Sequence, residues 1–98
     1  MEKPTVVFAA DSVVKAIRKG LIPLHIAHKF LKWKTDVQNL GIKEVRKFSG
    51  YHDEPIKGSK TGRRSVRLNQ AWRLFYLEKE TGECHVIAVE EINKHDYK

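Results

Sequence analysis

The residues best suited to chemistry lie between Lys57 and Arg73, where six basic side chains, Lys57, Lys60, Arg63, Arg64, Arg67 and Arg73, stand without one acid among them. The acids are gathered downstream: Glu78 to Asp96 holds six of them against Lys79 and Lys94. A surface kept basic for solubility would account for the net charge of +7, but it gives no reason for this segregation. Guanidinium groups offer paired donors that match phosphate oxygens, and clustered cations raise the local concentration of a polyanion. The run therefore reads as a contact for phosphate, and nucleic acid is the expected partner.

Side-chain alternation sharpens that expectation. Along Arg63 to Asn69, Val66 and Leu68 point one way while Arg63, Ser65, Arg67 and Asn69 point the other. With a turn centred on Gln70, Val66 faces Leu74 and Arg67 lies directly opposite Arg73. Like charges so placed cost some tenths of a kcal/mol up to about 1 kcal/mol. An anionic ligand would relieve the conflict, which is of the kind that folded proteins retain at functional sites. The sequence leaves two alternatives open: a register shifted by one residue, or arginines paired with acids of the last strand such as Glu90 or Glu91.

Other reactive residue types carry less. His25 belongs to the polar face of a helix, and His52 and His85 stand alone, the ordinary condition of a surface histidine. Cys84 has no second cysteine, so neither a zinc site nor a thiol nucleophile is indicated, and an internal disulfide is impossible.

Holding arginines opposite one another requires a sheet. A strand is expected over Thr5–Ala9, then a helix over about 12–19, started by Asp11 or Ser12 and stopped by Gly20. Pro23 opens a second helix, in which Ile26, Ala27, Phe30, Leu31, Trp33, Val37 and Leu40 recur at helical spacing until Gly41. Residues 41–62 read as an irregular connection packed by Val45, Phe48, Tyr51 and Ile56, a length that usually carries function. Arg64–Asn69, Trp72–Glu78 and Cys84–Glu91 then form an antiparallel meander. The expected fold class is α+β: one domain, 1–98, with two N-terminal helices on one face of a small, mainly antiparallel sheet and the other face open. No apolar run approaches the ~20 residues of a membrane span, and Met1–Pro4 lack the start of an export signal, so a cytoplasmic location without membrane contact is expected.

The run from Gly50 to Tyr97 also has a familiar order: Tyr51-His52-Asp53-Glu54-Pro55, Lys57-Gly58, Arg64-Ser65-Val66-Arg67-Leu68, Trp72-Arg73 and a closing Asn93-Lys94-His95-Asp96-Tyr97. It resembles the RelE/HigB/ParE superfamily of toxins from type II toxin–antitoxin modules, most of all its HigB-like, plasmid-maintenance killer branch. The resemblance implies a ribosome-dependent messenger RNA endoribonuclease, without metal or cofactor, that is neutralised by a cognate antitoxin. In that chemistry the ribose 2′-hydroxyl attacks the adjacent phosphorus and the 5′-oxygen leaves. One group must take the 2′ proton, another must stabilise charge on the phosphoryl oxygens, and a third must protonate the leaving oxygen.

By this resemblance Arg67 and Arg73 stabilise the phosphoryl oxygens, and His52, Lys57, Lys60, Arg63 and Arg64 bind RNA. His95, which titrates near neutrality, moves protons, with Asp96 orienting it and Tyr97 stacking on a base or completing the relay. HigB-type chains often end in an Asp-Tyr-His order where this one has His95-Asp96-Tyr97, which leaves the division of roles among the three open. A gyrase poison of the ParE type or a non-catalytic RNA-binding module would share the fold without needing these proton-transfer groups.

Overall fold

The structure, a computed structural model, describes residues 3–94. Strand β1 (Thr5–Ala9) leads into helices α1 (Asp11–Arg18), α2 (Leu24–Leu40) and the single turn α3 (Ile42–Val45). A 3₁₀ turn (Ser49–Tyr51) and the two-residue strand β2 (Glu54–Pro55) follow, then β3 (Arg64–Arg67), β4 (Trp72–Glu80) and β5 (His85–Lys94). The five strands are ordered β1-β5-β4-β3-β2; β1 runs parallel to β5 and the other pairs are antiparallel. The parallel pair follows from connectivity, because two helices carry the chain away from β1 before β5 pairs with it.

Local chemistry explains most boundaries. The Ala10 carbonyl accepts the amides of Val13 and Val14 at 2.9 and 3.2 Å, so Ala10, rather than Asp11 or Ser12, caps α1. The reason is the neighbouring strand: the Ala10 amide donates to the Val89 carbonyl at 2.9 Å, which holds Ala10 extended and starts the helix one residue early. Gly20, at φ +72°, lies just past the end of α1 in the left-handed region that glycine tolerates. Pro23 caps α2 from outside its first turn, its carbonyl accepting the Ile26 and Ala27 amides at 2.9 and 3.0 Å. The α2 stripe is narrower than its apolar residues suggest: Ile26, Ala27, Phe30, Trp33 and Val37 are buried, whereas Leu31 and Leu40 are 50% and 51% exposed.

The long connection is more regular than expected. Residues 41–62 contain α3, the 3₁₀ turn and an edge strand, elements too short for a periodicity argument to detect.

The helices and the sheet's buried face share one core. Trp33 and Tyr76 are fully buried with ring centroids 5.6 Å apart, packed with Ile26, Val37, Val66, Leu74, Ile87 and Val89. Each such side chain contributes roughly 1.5–3 kcal/mol of burial. No helix among the described residues is long and apolar enough to cross a membrane.

Candidate nucleic-acid interface

The β3–β4 hairpin has the register expected from alternation: Val66 pairs with Leu74 and Arg67 with Arg73. Asn69 sets it, because its Oδ1 accepts the amides of Ala71 and Trp72, both at 2.8 Å, and closes the turn. Val66 and Leu74 enter the core, so Arg67 and Arg73 are carried onto the face that no helix covers. Among the described residues Arg67 makes no ion pair, and its Nε is screened from solvent without a hydrogen-bond partner. A phosphate oxygen would supply the acceptor that this donor lacks.

Beside this pair lies a shallow cleft of about 590 Å³, lined by Arg73, Phe75 and Ser65 from the sheet and by Glu54 and Lys57 from the β2 edge. Ser65 is 6% exposed. The rim is tied in place. The Ile56 amide donates to the Arg63 carbonyl at 2.9 Å, and the Arg63 amide donates to Ser59 Oγ at 3.1 Å. Lys57 and Lys60 thus project from an ordered loop; Lys57 lines the cleft and Lys60 does not.

Arg63 is engaged on the same face. Its guanidinium lies 4.8 Å from the Phe75 ring centroid, with Nε 3.2 Å from Glu90 and Nη2 2.8 Å from Glu91. Consecutive strand residues ordinarily point to opposite faces. A bulge removes that constraint: Phe75 pairs with Glu91 and Tyr76 with Val89, leaving Glu90 as the extra residue of β5. The pairing with last-strand acids left open by the sequence is therefore real, but it belongs to Arg63 rather than to Arg67.

Arg64 does not join this face. It pairs across the sheet with Tyr76, on the helix side, and its Nε contacts Asp53 Oδ1 at 2.7 Å. The Asp53 side chain is only 2% exposed. Its Oδ2 accepts the Tyr76 hydroxyl at 2.5 Å and lies 3.8 Å from Arg46 Nε. Arg46 in turn donates through Nη2 to the Tyr76 oxygen and to Glu78, each at 3.1 Å. Burial, reinforced by the hydrogen bond to the Asp53 carboxylate, pushes the Tyr76 phenol well above its ordinary pKa. Asp53 and Arg46 escaped the sequence reading, although one signal was present: the alternation that separates Arg63 from Val66 also puts Arg64 with Val66 and Leu68, toward the core. A buried arginine needs an acid.

His52 caps the 3₁₀ turn at φ +45°, exposed, and does not line the cleft. His95, Asp96 and Tyr97 lie outside the described residues. The structure thus gathers Arg67, Arg73, Arg63 and Lys57 on the open face and sets Arg64 apart on the other.

Two helices against one face of a five-stranded sheet is a fold shared with solved toxin structures, among them YafQ and a YoeB/ParE toxin, in keeping with the sequence resemblance. YafQ from E. coli strain BL21(DE3) matches at TM-score 0.65 and 18% identity over 90% of each chain. A chain of the E. coli DinJ-YafQ toxin-antitoxin complex matches at 0.68 and 20% identity, covering 94% of this chain and 93% of that one. The YoeB dimer from Staphylococcus aureus gives 0.62 and 17% identity over 96% and 99%. At these identities the likeness is one of fold. No protein-family model and no curated protein sequence matches the chain.

Proposed function

We propose that this protein is the toxin of a type II toxin–antitoxin module, an endoribonuclease that cuts messenger RNA in the ribosome and is held inactive by a cognate antitoxin. The observation that carries the reading is Arg67 directly opposite Arg73 on the uncovered face, with Arg67 lacking any acid partner among the described residues. A fold shared with YafQ, solved alone and in the DinJ-YafQ complex, supports both the toxin and the antitoxin partner.

The chemistry follows from the arginines' position. A scissile phosphate between Arg67 and Arg73 meets donors on both sides, and these strengthen as charge gathers on the phosphoryl oxygens when the 2′-oxygen adds and the 5′-oxygen departs. The products are a 2′,3′-cyclic phosphate and a free 5′-hydroxyl. Lys57 at the rim of the cleft holds a flanking phosphate, and Lys60 extends the positive field. Proton transfer is assigned to His95, with Asp96 and Tyr97 beside it, on the sequence alone.

The test is primer extension on a messenger translated by purified ribosomes, run beside ribosome pelleting and a gyrase supercoiling assay. The parent protein should cut. Arg67→Ala should cut about 10²–10³-fold more slowly, the usual cost of one transition-state donor. His95→Gln and Tyr97→Phe should still pellet with ribosomes, because that affinity comes mainly from Lys and Arg on phosphate, yet lose cleavage by about 10²–10⁴-fold. Inhibited supercoiling with intact messenger would replace this reading with gyrase poisoning, and ribosome binding without cleavage would leave a passive RNA-binding module.

A further inference from the structure

Outside the open face, a second concave surface lies between α2 and the 3₁₀ turn, a cleft of about 240 Å³ whose lining includes Lys29, Lys32, Phe48, Gly50, Tyr51 and Arg67. Its aromatic pair is arranged in parallel: the Phe48 and Tyr51 rings are 6.1 Å apart with 14° between their planes. Tyr51 is fixed from beneath, since its hydroxyl donates to Asp36 Oδ2 at 2.9 Å and Lys32 Nζ reaches the same oxygen at 3.0 Å. Phe48 is 40% exposed, a large apolar ring left open to solvent on a rigid base. Lys32 is neutralised by Asp36, whereas Lys29 has no ion pair or hydrogen bond among the described residues. The cleft is smaller than the roughly 300–1,000 Å³ pockets that enclose a whole small molecule, so it suits one planar group at a time.

Arg67 lines this cleft and also faces Arg73 on the open sheet. Along this edge of β3, β2 pairs only with Arg64 and Ser65, so among the described residues no strand continues the sheet beside Val66 and Arg67, and the 3₁₀ turn lies against β3 there. A stacked, half-open aromatic platform with a free lysine at its rim is the chemistry of single-stranded nucleic-acid binding, in which bases stack on rings and cations follow the backbone. The rim of this cleft carries lysines, a residue type depleted at the core of protein–protein interfaces.

We infer that the Phe48–Tyr51 cleft is a stacking subsite for a nucleotide flanking the one gripped by Arg67 and Arg73, with the base on Phe48 and its phosphate on Lys29. The inference rests on the RNA reading above and extends the RNA path around the sheet edge onto the helical side.

The test uses the full-length protein with its proton-transfer residue silenced by His95→Gln and a single-stranded RNA of about 12 nucleotides, within the ~4–16 nucleotide range of such sites. The RNA carries a fluorescent end label for anisotropy and 2-aminopurine at successive positions for stacking. Phe48→Ala should weaken binding about 5- to 100-fold and Phe48→Trp should restore it, as expected for loss and recovery of one stacked base. Quenching of 2-aminopurine at one position should vanish in Phe48→Ala. Lys29→Gln, an exposed change with no effect on folding, should lower affinity less and reduce the salt slope by about 1. Parent-like binding by Phe48→Ala and Lys29→Gln, with Arg67→Ala still weakened, overturns this inference and leaves the proposed function standing. No RNA affinity in the parent protein or any variant overturns this inference, while loss of messenger cleavage in the ribosome assay above is what overturns the proposed function. Loss of antitoxin binding by Phe48→Ala with unchanged RNA binding overturns the inference in favour of a protein contact.

Discussion

Arg64 and Arg67 stand three residues apart on β3 and face opposite sides of the sheet. On the helix side, Arg64 and Arg46 converge on one buried carboxylate, Asp53, whose second oxygen is taken by Tyr76. On the open side, Arg67 meets Arg73 and no acid contacts it among the described residues. The two arrangements differ in what removing a member does. Inside, each charge is a condition for burying the others, so one loss strands the rest. Outside, Arg67 is a mild liability to the fold, and removing it relieves repulsion. Counting arginines therefore locates neither the scaffold nor the site; their partners do.

The largest effect should come from Asp53→Ala, which leaves the Arg64 and Arg46 guanidinium groups facing a partly buried void. A loss of about 3–5 kcal/mol is expected, readable as a fall in urea midpoint with unchanged slope. A loss under 1 kcal/mol would mean that the inner cluster is as dispensable as a surface pair.

Tyr76→Phe separates charge from hydrogen bonding within that cluster. The folded protein holds the phenol proton above its ordinary pKa of 10.0, through burial and the Asp53 hydrogen bond. The native state therefore binds the proton more tightly than the unfolded chain does. Its contribution is complete below pH 10 and is lost as the pH climbs above that value. The variant should lose about 1–2 kcal/mol near neutrality for its broken hydrogen bonds, and its stability should fall less steeply above pH 10. An alkaline limb as steep as the parent's would place that titration elsewhere.

Glu91→Gln asks whether an acid–arginine pair on the open face behaves like the inner ones. The Glu91 side chain is 46% exposed against 2% for Asp53, so the expected loss is about 0–1 kcal/mol in a thermal melt. Arg67→Ala should be the smallest and of opposite sign, a gain of a few tenths of a kcal/mol in the same melt. A clear destabilisation by Arg67→Ala would make that arginine part of the scaffold and remove the contrast between the faces.

Much of this was legible in the sequence because alternation is a local property. Val66 and Leu68 fixed which way the β3 side chains point, and a turn centred on Gln70 put Arg67 opposite Arg73; the Asn69 hydrogen bonds that settle the register over its one-residue alternative emerge only in the folded hairpin. The Glu90 bulge was not legible, since an extra residue in a strand leaves the apolar pattern ambiguous by one position. Nor was the Asp53 cluster, which depends on a short turn returning an acid to the underside of a strand eleven residues later. The Phe48–Tyr51 platform was visible only as two apolar residues assigned to packing, and geometry alone shows one ring turned outward.

The parallel pairing of β1 with β5 has a consequence for how the molecule is made. Thr5 lies beside His85, so the first strand leaves the ribosome eighty residues before the segment it needs. At ~5–20 residues per second the wait is about 4–16 s, during which the helices and an unpartnered apolar strand exist without a completed sheet. Contacts so distant in sequence also slow the final closure. The arginine-bearing hairpin is docked between strands only once β5 has been translated. The nascent chain thus cannot present its finished cationic face while most of it is still being synthesised, and maturation is timed by topology.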